Sequence, residues 1–153
     1  MSKINYDELS KKLFEIVEYD YVHGRPIEIC EELMLKYGRY YTGTVYHGAG
    51  GMTENEVLEN YYGLISCSYD KHIAESFAVS AFNDNDLDRG SLFKIKMDRT
   101  FALDVQLLIE DCYRHCDNEL CEYMYSAYNG ENEMLLYFED IQDSIEFINI
   151  KDE

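Results

Sequence analysis

The stretch Gly130-Glu131-Asn132-Glu133-Met134-Leu135-Leu136 joins a small turn to an apolar, strand-like segment that runs to Phe138. Side chains alternate between the two faces of a strand. Glu131 and Glu133 therefore point the same way if both lie on the extended segment. Two carboxylates on one face repel each other and lose hydration, unless a cation arrives or one of them holds a proton. This cost favours a ligand-facing role for the pair.

Length, composition and charge restrict the class of protein. The 153 residues suit one domain with a real core, and the apolar (46%) and charged (29%) fractions are ordinary for a soluble globular protein. The net charge of −18 repels nucleic acid and anionic membranes, and it favours encounter with basic proteins. We therefore expect no membrane partner and no direct nucleic-acid binding, whereas a basic protein partner is compatible with the charge. An acidic but otherwise ordinary soluble protein has the same composition.

The five cysteines favour a reducing compartment. Their odd number, with no signal peptide and no long apolar segment, predicts free thiols in a cytoplasm, either of the cell of origin or of a target cell. Cys112, His115, Cys116 and Cys121 are residue types that bind zinc. Structural zinc sites usually use tight Cys-x2-Cys pairs, and Cys112 and Cys116 are four apart in a helical pattern. We expect no metal.

Periodicity and turn signals predict one domain over 1–153, with helices in its first 40 residues and a mixed α/β core over 41–153. The predicted helices cover about 6–20, 26–37, 54–62, 71–82 and 106–127, the last with a break at 117–118. The predicted strands cover 42–46, 64–68, 92–97, 101–105, 134–138 and 145–150. A break at 23–25 and a polar loop at 83–90 separate elements.

Three local signals predict helix ends. Thr53-Glu54-Asn55-Glu56 has the pattern of a capping box, in which the first and last residues each bond the other's backbone N–H. Asp70 is a good N-cap for the fourth helix. Gly38 is placed to end the second helix, whose first turn accommodates Pro26.

Three segments, in order along the chain, resemble one enzyme family. Gly63-Leu64-Ile65-Ser66-Cys67-Ser68 and the helix after it are similar to a Ser-Thr-Ser strand followed by a helix, with Cys67 in place of the Thr. Glu131 and Glu133 are similar to a Glu-x-Glu motif at a loop-to-strand junction. With Val45-Tyr46-His47-Gly48, these segments resemble the mono-ADP-ribosyltransferases, over about residues 44–138. Taken singly, each motif also fits a purely structural role.

The resemblance implies a fold and four residue roles. The implied fold is α+β, with N-terminal helices followed by a split, bent β-sandwich that has a cleft for NAD. Glu133 would be catalytic and would stabilise an oxocarbenium-like transition state. Glu131 would face the acceptor, Ser66 would orient Glu133, and Ser68 would support the nicotinamide pocket.

Val45-Tyr46-His47-Gly48 falls where arginine-type members carry an aromatic-Arg-Gly strand end. His47 replaces the arginine, as in the diphtheria-toxin and polymerase branch, which lacks the Ser-x-Ser pattern and whose histidine holds the adenosine ribose. The resemblance implies that His47, Tyr46 and Gly48 contact NAD, with Tyr46 near the nicotinamide. Arg39 is a candidate for the missing phosphate charge, and the glycine pair at 50–51 could approach a phosphate through its backbone.

The implied activity is transfer of ADP-ribose from NAD to a protein side chain, with release of nicotinamide. Family members that modify arginine carry Glu where this chain has Glu131, so arginine is the expected acceptor. Two alternatives stay open. Water could replace the acceptor, which would give an NAD glycohydrolase. The chain could instead be a non-enzymatic acidic inhibitor that occupies a basic, nucleic-acid-binding protein surface. A toxin-like effector that acts in a host or target-cell cytoplasm would fit the ADP-ribosyltransferase activity.

Overall fold

The computed structural model shows a mixed α/β fold in residues 4–18, 27–49, 53–60, 63–80, 91–116, 118–128 and 130–148. Seven α-helices and five antiparallel strands lie in these ranges. The helices are α1 (Tyr6–Glu18), α2 (Ile27–Tyr37), α3 (Glu54–Asn60), α4 (Lys71–Ser80), α5 (Val105–His115), α6 (Glu119–Tyr128) and α7 (Phe138–Ile141). The strands are β1 (Arg39–Ala49), β2 (Leu64–Ser68), β3 (Ser91–Asp104), β4 (Glu133–Tyr137) and β5 (Ile145–Ile148). A short 3-10 helix, Gln142–Ser144, precedes β5.

The sheet closes on itself. Its strand order is β1-β2-β4-β3-β5, and β1 also pairs with β3 over most of its length. Ile95 of β3 lies opposite Val45 on one edge and opposite Ile145 on the other, so β1 and β5 flank β3. Because β2 in turn pairs with both β1 and β4, and β4 pairs with β3, these four strands form a ring with an inward and an outward face, and β5 adds to the edge of β3.

Two apolar clusters occupy the two faces. The interior cluster joins β1 and β3 to β2 and β4 and includes α3 and α7 residues: Val45, Ala49, Val57, Ile65, Cys67, Phe93, Ile95, Met97, Ala102, Met134, Leu136, Phe138 and Ile141. The helical cluster packs α1, α2, α5 and α6 against Leu103 and Leu135 on the outward face. Burial of each large side chain contributes about 1.5–3 kcal/mol relative to exposure.

Local capping predictions are confirmed. The N–H of Thr53 donates to Glu56 Oε1 (2.9 Å), and the N–H of Glu56 donates to Thr53 Oγ1 (3.2 Å). Asp70 Oδ1 accepts the N–H of His72 (2.9 Å) at the start of α4. The break between α5 and α6 falls at Asn118. Strand β2 has the predicted bounds.

Gly38 follows α2, as predicted, and close packing explains why this position has no side chain. A Cβ at this position would lie 2.4 Å from the carbonyl oxygen of Met34 and 2.5 Å from the ring of Phe101. The N–H of Gly38 also donates to that same Met34 carbonyl (2.8 Å). The absence of a side chain therefore lets the end of α2 lie directly on β3.

Some boundaries were predicted wrongly. Strand β3 is one element of 14 residues, although residues 98–100 look like a gap in the sequence. Arg99 takes a positive φ of 53°, and the β1 register shifts between Tyr41 and Gly43 at the same level, so both strands bend without breaking their pairing. Strand β1 starts at Arg39, three residues earlier than predicted, and Phe138 begins α7 instead of ending a strand.

Several predicted features lie outside the described residues: the break at 23–25 with Pro26, the glycine pair at 50–51, and the loop at 83–90. In the part of the chain that the structure describes, no helix has both the length and the apolarity needed to cross a membrane.

Candidate active site

The centre of the candidate site is a hydrogen bond between β2 and β4. Ser66 Oγ donates to Glu133 Oε2 over 2.6 Å. Ser68 lies directly opposite Glu133 in the β2–β4 register, and Ser66 is two residues before Ser68 on β2, so all three side chains share the outward face. Glu133 is only 8% exposed. A carboxylate held this way has a fixed orientation and little water around it.

Ser68 fixes the loop that precedes β4. Its Oγ donates to the backbone carbonyl of Glu131 (2.7 Å) and accepts the N–H of Asp70 (3.0 Å). The neighbouring Tyr69 donates its N–H to the carbonyl of Asn132 (3.2 Å). Two hydrogen bonds therefore join the end of β2 to the loop at 130–132, and the bond from Asp70 fixes the Ser68 hydroxyl itself. Ser66 contacts the Glu133 side chain, whereas Ser68 contacts the loop backbone.

Glu131 and Glu133 do not share a strand. Their predicted orientation on one face required both to lie on the extended segment, and that condition is not met. Strand β4 begins at Glu133, and Asn132 just before it has a positive φ of 54°. Asparagine adopts this left-handed conformation more easily than most residues, and it interrupts strand alternation. Glu131 lies in the loop, partly buried, and its carbonyl is the group that Ser68 binds.

Gln106 supports the loop of the candidate site, and the sequence did not single it out. Its Oε1 accepts the backbone N–H groups of both Gly130 and Asn132 (3.2 Å each), and its Nε2 donates to Glu110 Oε2 (2.8 Å). It is buried in the first turn of α5. The sequence carries no specific signal for this contact, because the burial of Gln106 becomes evident only once α5 is packed.

Tyr46 lies on the same outward face as the Ser66–Glu133 pair. It is opposite Ser68 across β1 and β2, and Ser68 is opposite Glu133, so the three form a row across three strands. Tyr46 is partly buried and packs against the small cluster formed by Ala74 of α4 and Leu92 of β3. A phenol ring beside the row can flank a planar group bound at Glu133.

His47 faces the interior cluster, away from the Glu133 carboxylate. Its ring centroid lies 5.2 Å from that of Phe93, and its Nδ1 donates to the backbone carbonyl of Ser66 (2.5 Å). A carbonyl only accepts, so Nδ1 carries the proton in the neutral ring. Burial lowers the pKa of His47 to about 4, and the bond to the Ser66 carbonyl opposes this shift. At neutral pH the ring is uncharged, and it supports β2 from the interior face of the sheet.

Gly48, which the resemblance implied for NAD, and Arg39, the candidate for the phosphate charge, both lie on β1. Gly48 is opposite Leu92 on β3 and partly buried. Arg39 starts β1 opposite Ala102, and its Nη1 donates to the carbonyl of Gly38 (3.0 Å). The structure therefore does not bring Arg39 to Glu133.

Acidic groups surround the exposed end of the site. Burial and the carboxylates of Asp104 and Glu110 raise the pKa of Tyr69 to about 12, so its phenol stays protonated. Burial also raises the pKa of Asp104, whose carboxylate caps α5 by accepting the N–H of Leu107 (3.0 Å). Cys67, between the two serines, has its thiol pKa raised by burial and by Glu133. It is therefore a poor nucleophile.

All five cysteines are free thiols. The ring of His115 stacks on Tyr6, with 5.0 Å between centroids. Among the described residues, the His, Cys, Asp and Glu side chains form no group of three that could hold a metal ion.

Comparison of the chain with protein-family models, with curated proteins and with solved structures finds no match. Function therefore has to be inferred from the geometry of the site.

His47→Gln should make stability less sensitive to mild acid. The unfolded chain takes up a proton near pH 6.5, whereas the folded imidazole does so near pH 4, so protonation favours the unfolded wild type below pH 6.5. Glutamine can donate to Ser66 but does not titrate. Between pH 7.5 and 5, urea denaturation should show the wild type losing about 2 kcal/mol more than the variant. The exposed His72→Gln is the control, and a His47→Gln curve parallel to wild type would contradict the assignment.

Gln106→Met should loosen the loop at 130–132. It removes the acceptor of two backbone N–H groups, and we expect a loss of about 1–2 kcal/mol in unfolding free energy, since Gly130 is exposed and water compensates in part. Amide hydrogen exchange should accelerate at Gly130 and Asn132. Leu107→Met, at an exposed position next to it, should change neither quantity. Unchanged amide hydrogen exchange in Gln106→Met would show that the loop is ordered without the Gln106 side chain.

Proposed function

We propose that this chain is an NAD-dependent mono-ADP-ribosyltransferase that passes ADP-ribose to a protein side chain, with arginine as the acceptor. The observation that carries the proposal is the Ser66–Glu133 hydrogen bond of 2.6 Å. It joins two residues 67 positions apart, which lie in two separate motifs of the sequence. Burying a carboxylate costs free energy, and a serine that fixes its direction suits a group that has to meet a developing charge.

The reaction needs one fixed carboxylate and an acceptor. The bond between the ribose C1′ and the nicotinamide nitrogen breaks, its electron pair leaves with nicotinamide, and the ribose becomes oxocarbenium-like. Glu133 would accept a hydrogen bond from the ribose 2′-hydroxyl and stabilise the cation. A guanidinium nitrogen of the acceptor then bonds to C1′ and gives up a proton. Glu131, in the adjoining loop, would receive that proton or orient the guanidinium.

We propose that the nicotinamide-ribose end of NAD binds beside Glu133. Tyr46 and Glu133 lie on one face in a row with Ser68, so an aromatic ring and a carboxylate would flank the ligand while the Ser68 hydroxyl holds the loop at 130–132. In the fold we propose, β1, β3 and β5 on one side and β2 and β4 on the other form the split, bent β-sandwich of the family. His47 stands outside this NAD surface, and we give it the task of supporting Ser66 from the interior. Among the described residues we assign none to the pyrophosphate.

One observation favours a second candidate, a non-enzymatic acidic inhibitor. His47 is neutral and faces inward, so the position where arginine-type enzymes carry a cation supplies no charge to a phosphate. The net charge of −18 would suit a protein that occupies a basic surface. Such binding weakens steeply with salt, whereas NAD cleavage by the isolated protein does not need a partner. An NAD glycohydrolase would use the same carboxylate with water as the acceptor.

Glu133→Gln should reduce NAD turnover by about 100-fold or more, because the amide cannot stabilise the cation. The assay is incubation with labelled NAD, alone and with a cytoplasmic lysate, following nicotinamide release and label on protein. The melting temperature should stay nearly unchanged, since glutamine keeps an acceptor for Ser66. Glu139→Gln, at an exposed position of α7, is the matched control. Full activity in Glu133→Gln would remove the mechanism, and no turnover by wild type in either setting would favour the inhibitor.

Glu131→Gln should impair transfer to arginine more than hydrolysis of NAD. The carboxylate is proposed to act on the acceptor, and water needs less orientation than a guanidinium. We expect transfer to an arginine-containing peptide to fall at least tenfold relative to nicotinamide release, which corresponds to about 1.4 kcal/mol. Equal loss of both activities would show that Glu131 contributes to NAD binding or to the structure of the loop, and not to the acceptor.

A further inference from the structure

A shallow pocket of about 430 Å³ lies between α5 and α6, away from the Ser66–Glu133 pair. Its lining residues are Tyr113, Glu122, Tyr125 and Ser126. Glu122, Tyr125 and Ser126 are three and four residues apart, so they share one face of α6, and Tyr113 closes the pocket from α5. The proposed catalytic chemistry uses none of the four residues.

The two tyrosine rings form a stacked platform. The centroids of Tyr113 and Tyr125 are 3.9 Å apart, with 10° between the ring planes. Tyr113 is nevertheless 47% exposed, so one ring is accessible while the other supports it. A rigid, accessible aromatic face attracts a cation, and it does so best for a planar one that can stack.

Charge at the pocket selects a cation as the occupant. The side chain of Glu122 is exposed at its edge, and no salt bridge among the described residues involves it. The chain as a whole has 31 acidic residues against 13 basic ones. A basic segment is thus drawn to this surface, and the pocket adds an aromatic face and a carboxylate for one side chain.

We propose that Tyr113, Tyr125 and Glu122 form a docking pocket for an arginine side chain on a basic segment of a partner protein. The guanidinium stacks on the Tyr113 ring and donates to the Glu122 carboxylate, a geometry that the compact ammonium of lysine matches less well. Tyr113 is seven residues, roughly 10 Å of helix, beyond Gln106, and Tyr125 precedes Glu131 by six residues. The docked segment would therefore lie beside the loop that holds Glu131. This binding does not depend on catalysis.

The test is an NMR titration of the ¹⁵N-labelled protein, without NAD, with a short Arg-Gly repeat peptide at physiological salt. The amides of Tyr113, Glu122, Tyr125 and Ser126 should shift most. A peptide with citrulline in place of arginine has nearly the same shape without the charge, and it should cause no such shifts. A Lys-Gly repeat should bind more weakly than the arginine peptide.

Tyr113→Leu and Glu122→Gln should each weaken binding of the arginine peptide by roughly fivefold. The matched control is Glu59→Gln on α3, a helix that packs on the interior cluster instead of the helical one. Binding should also persist in Glu133→Gln, so this test and the test of catalysis fail separately. Shifts spread evenly over the acidic surface, with equal affinity for arginine and lysine, would overturn the proposal. Absence of shifts at the pocket would overturn it as well.

Discussion

Burial of the Glu133 carboxylate is the constraint on which the candidate site depends. A carboxylate that is 8% exposed loses most of its hydration and has to be stabilised by hydrogen bonds from the protein. Ser66 supplies one of them at 2.6 Å, and it can do so because β2 and β4 pair in a register that places both side chains on the outward face. A shift of one residue would turn one of the partners into the interior cluster. The apolar residues that fix this register therefore also determine the chemistry.

A second layer of contacts holds the site from both sides. Gln106 and Ser68 bind the backbone of the loop before β4, and His47 binds the backbone of Ser66 from the interior. Each uses a polar side chain to satisfy a main-chain group of the site or of the loop beside it. The positive φ of Asn132 is maintained in this network, and it separates Glu131 from the strand that carries Glu133. The two glutamates can thus meet different parts of a substrate.

Sequence reasoning succeeded where the determining chemistry is local. The capping box at Thr53 and the cap at Asp70 each form within four residues, and both were predictable. Failures occurred where a distant segment decides. Arg99 continues β3 because its N–H donates to Thr42 Oγ1, 57 residues away. Gln106 looks like any polar helix residue until α5 is packed.

The most direct test of the Ser66–Glu133 unit is a double-mutant cycle on nicotinamide release. Ser66→Ala, Glu133→Gln and the combined variant should be compared at saturating NAD. If Ser66 acts by orienting Glu133, the double variant should be no slower than Glu133→Gln alone, because the serine has nothing left to orient. Losses that multiply would show that the two residues act independently, and absence of release by the wild type would contradict the assignment of this pair to NAD cleavage.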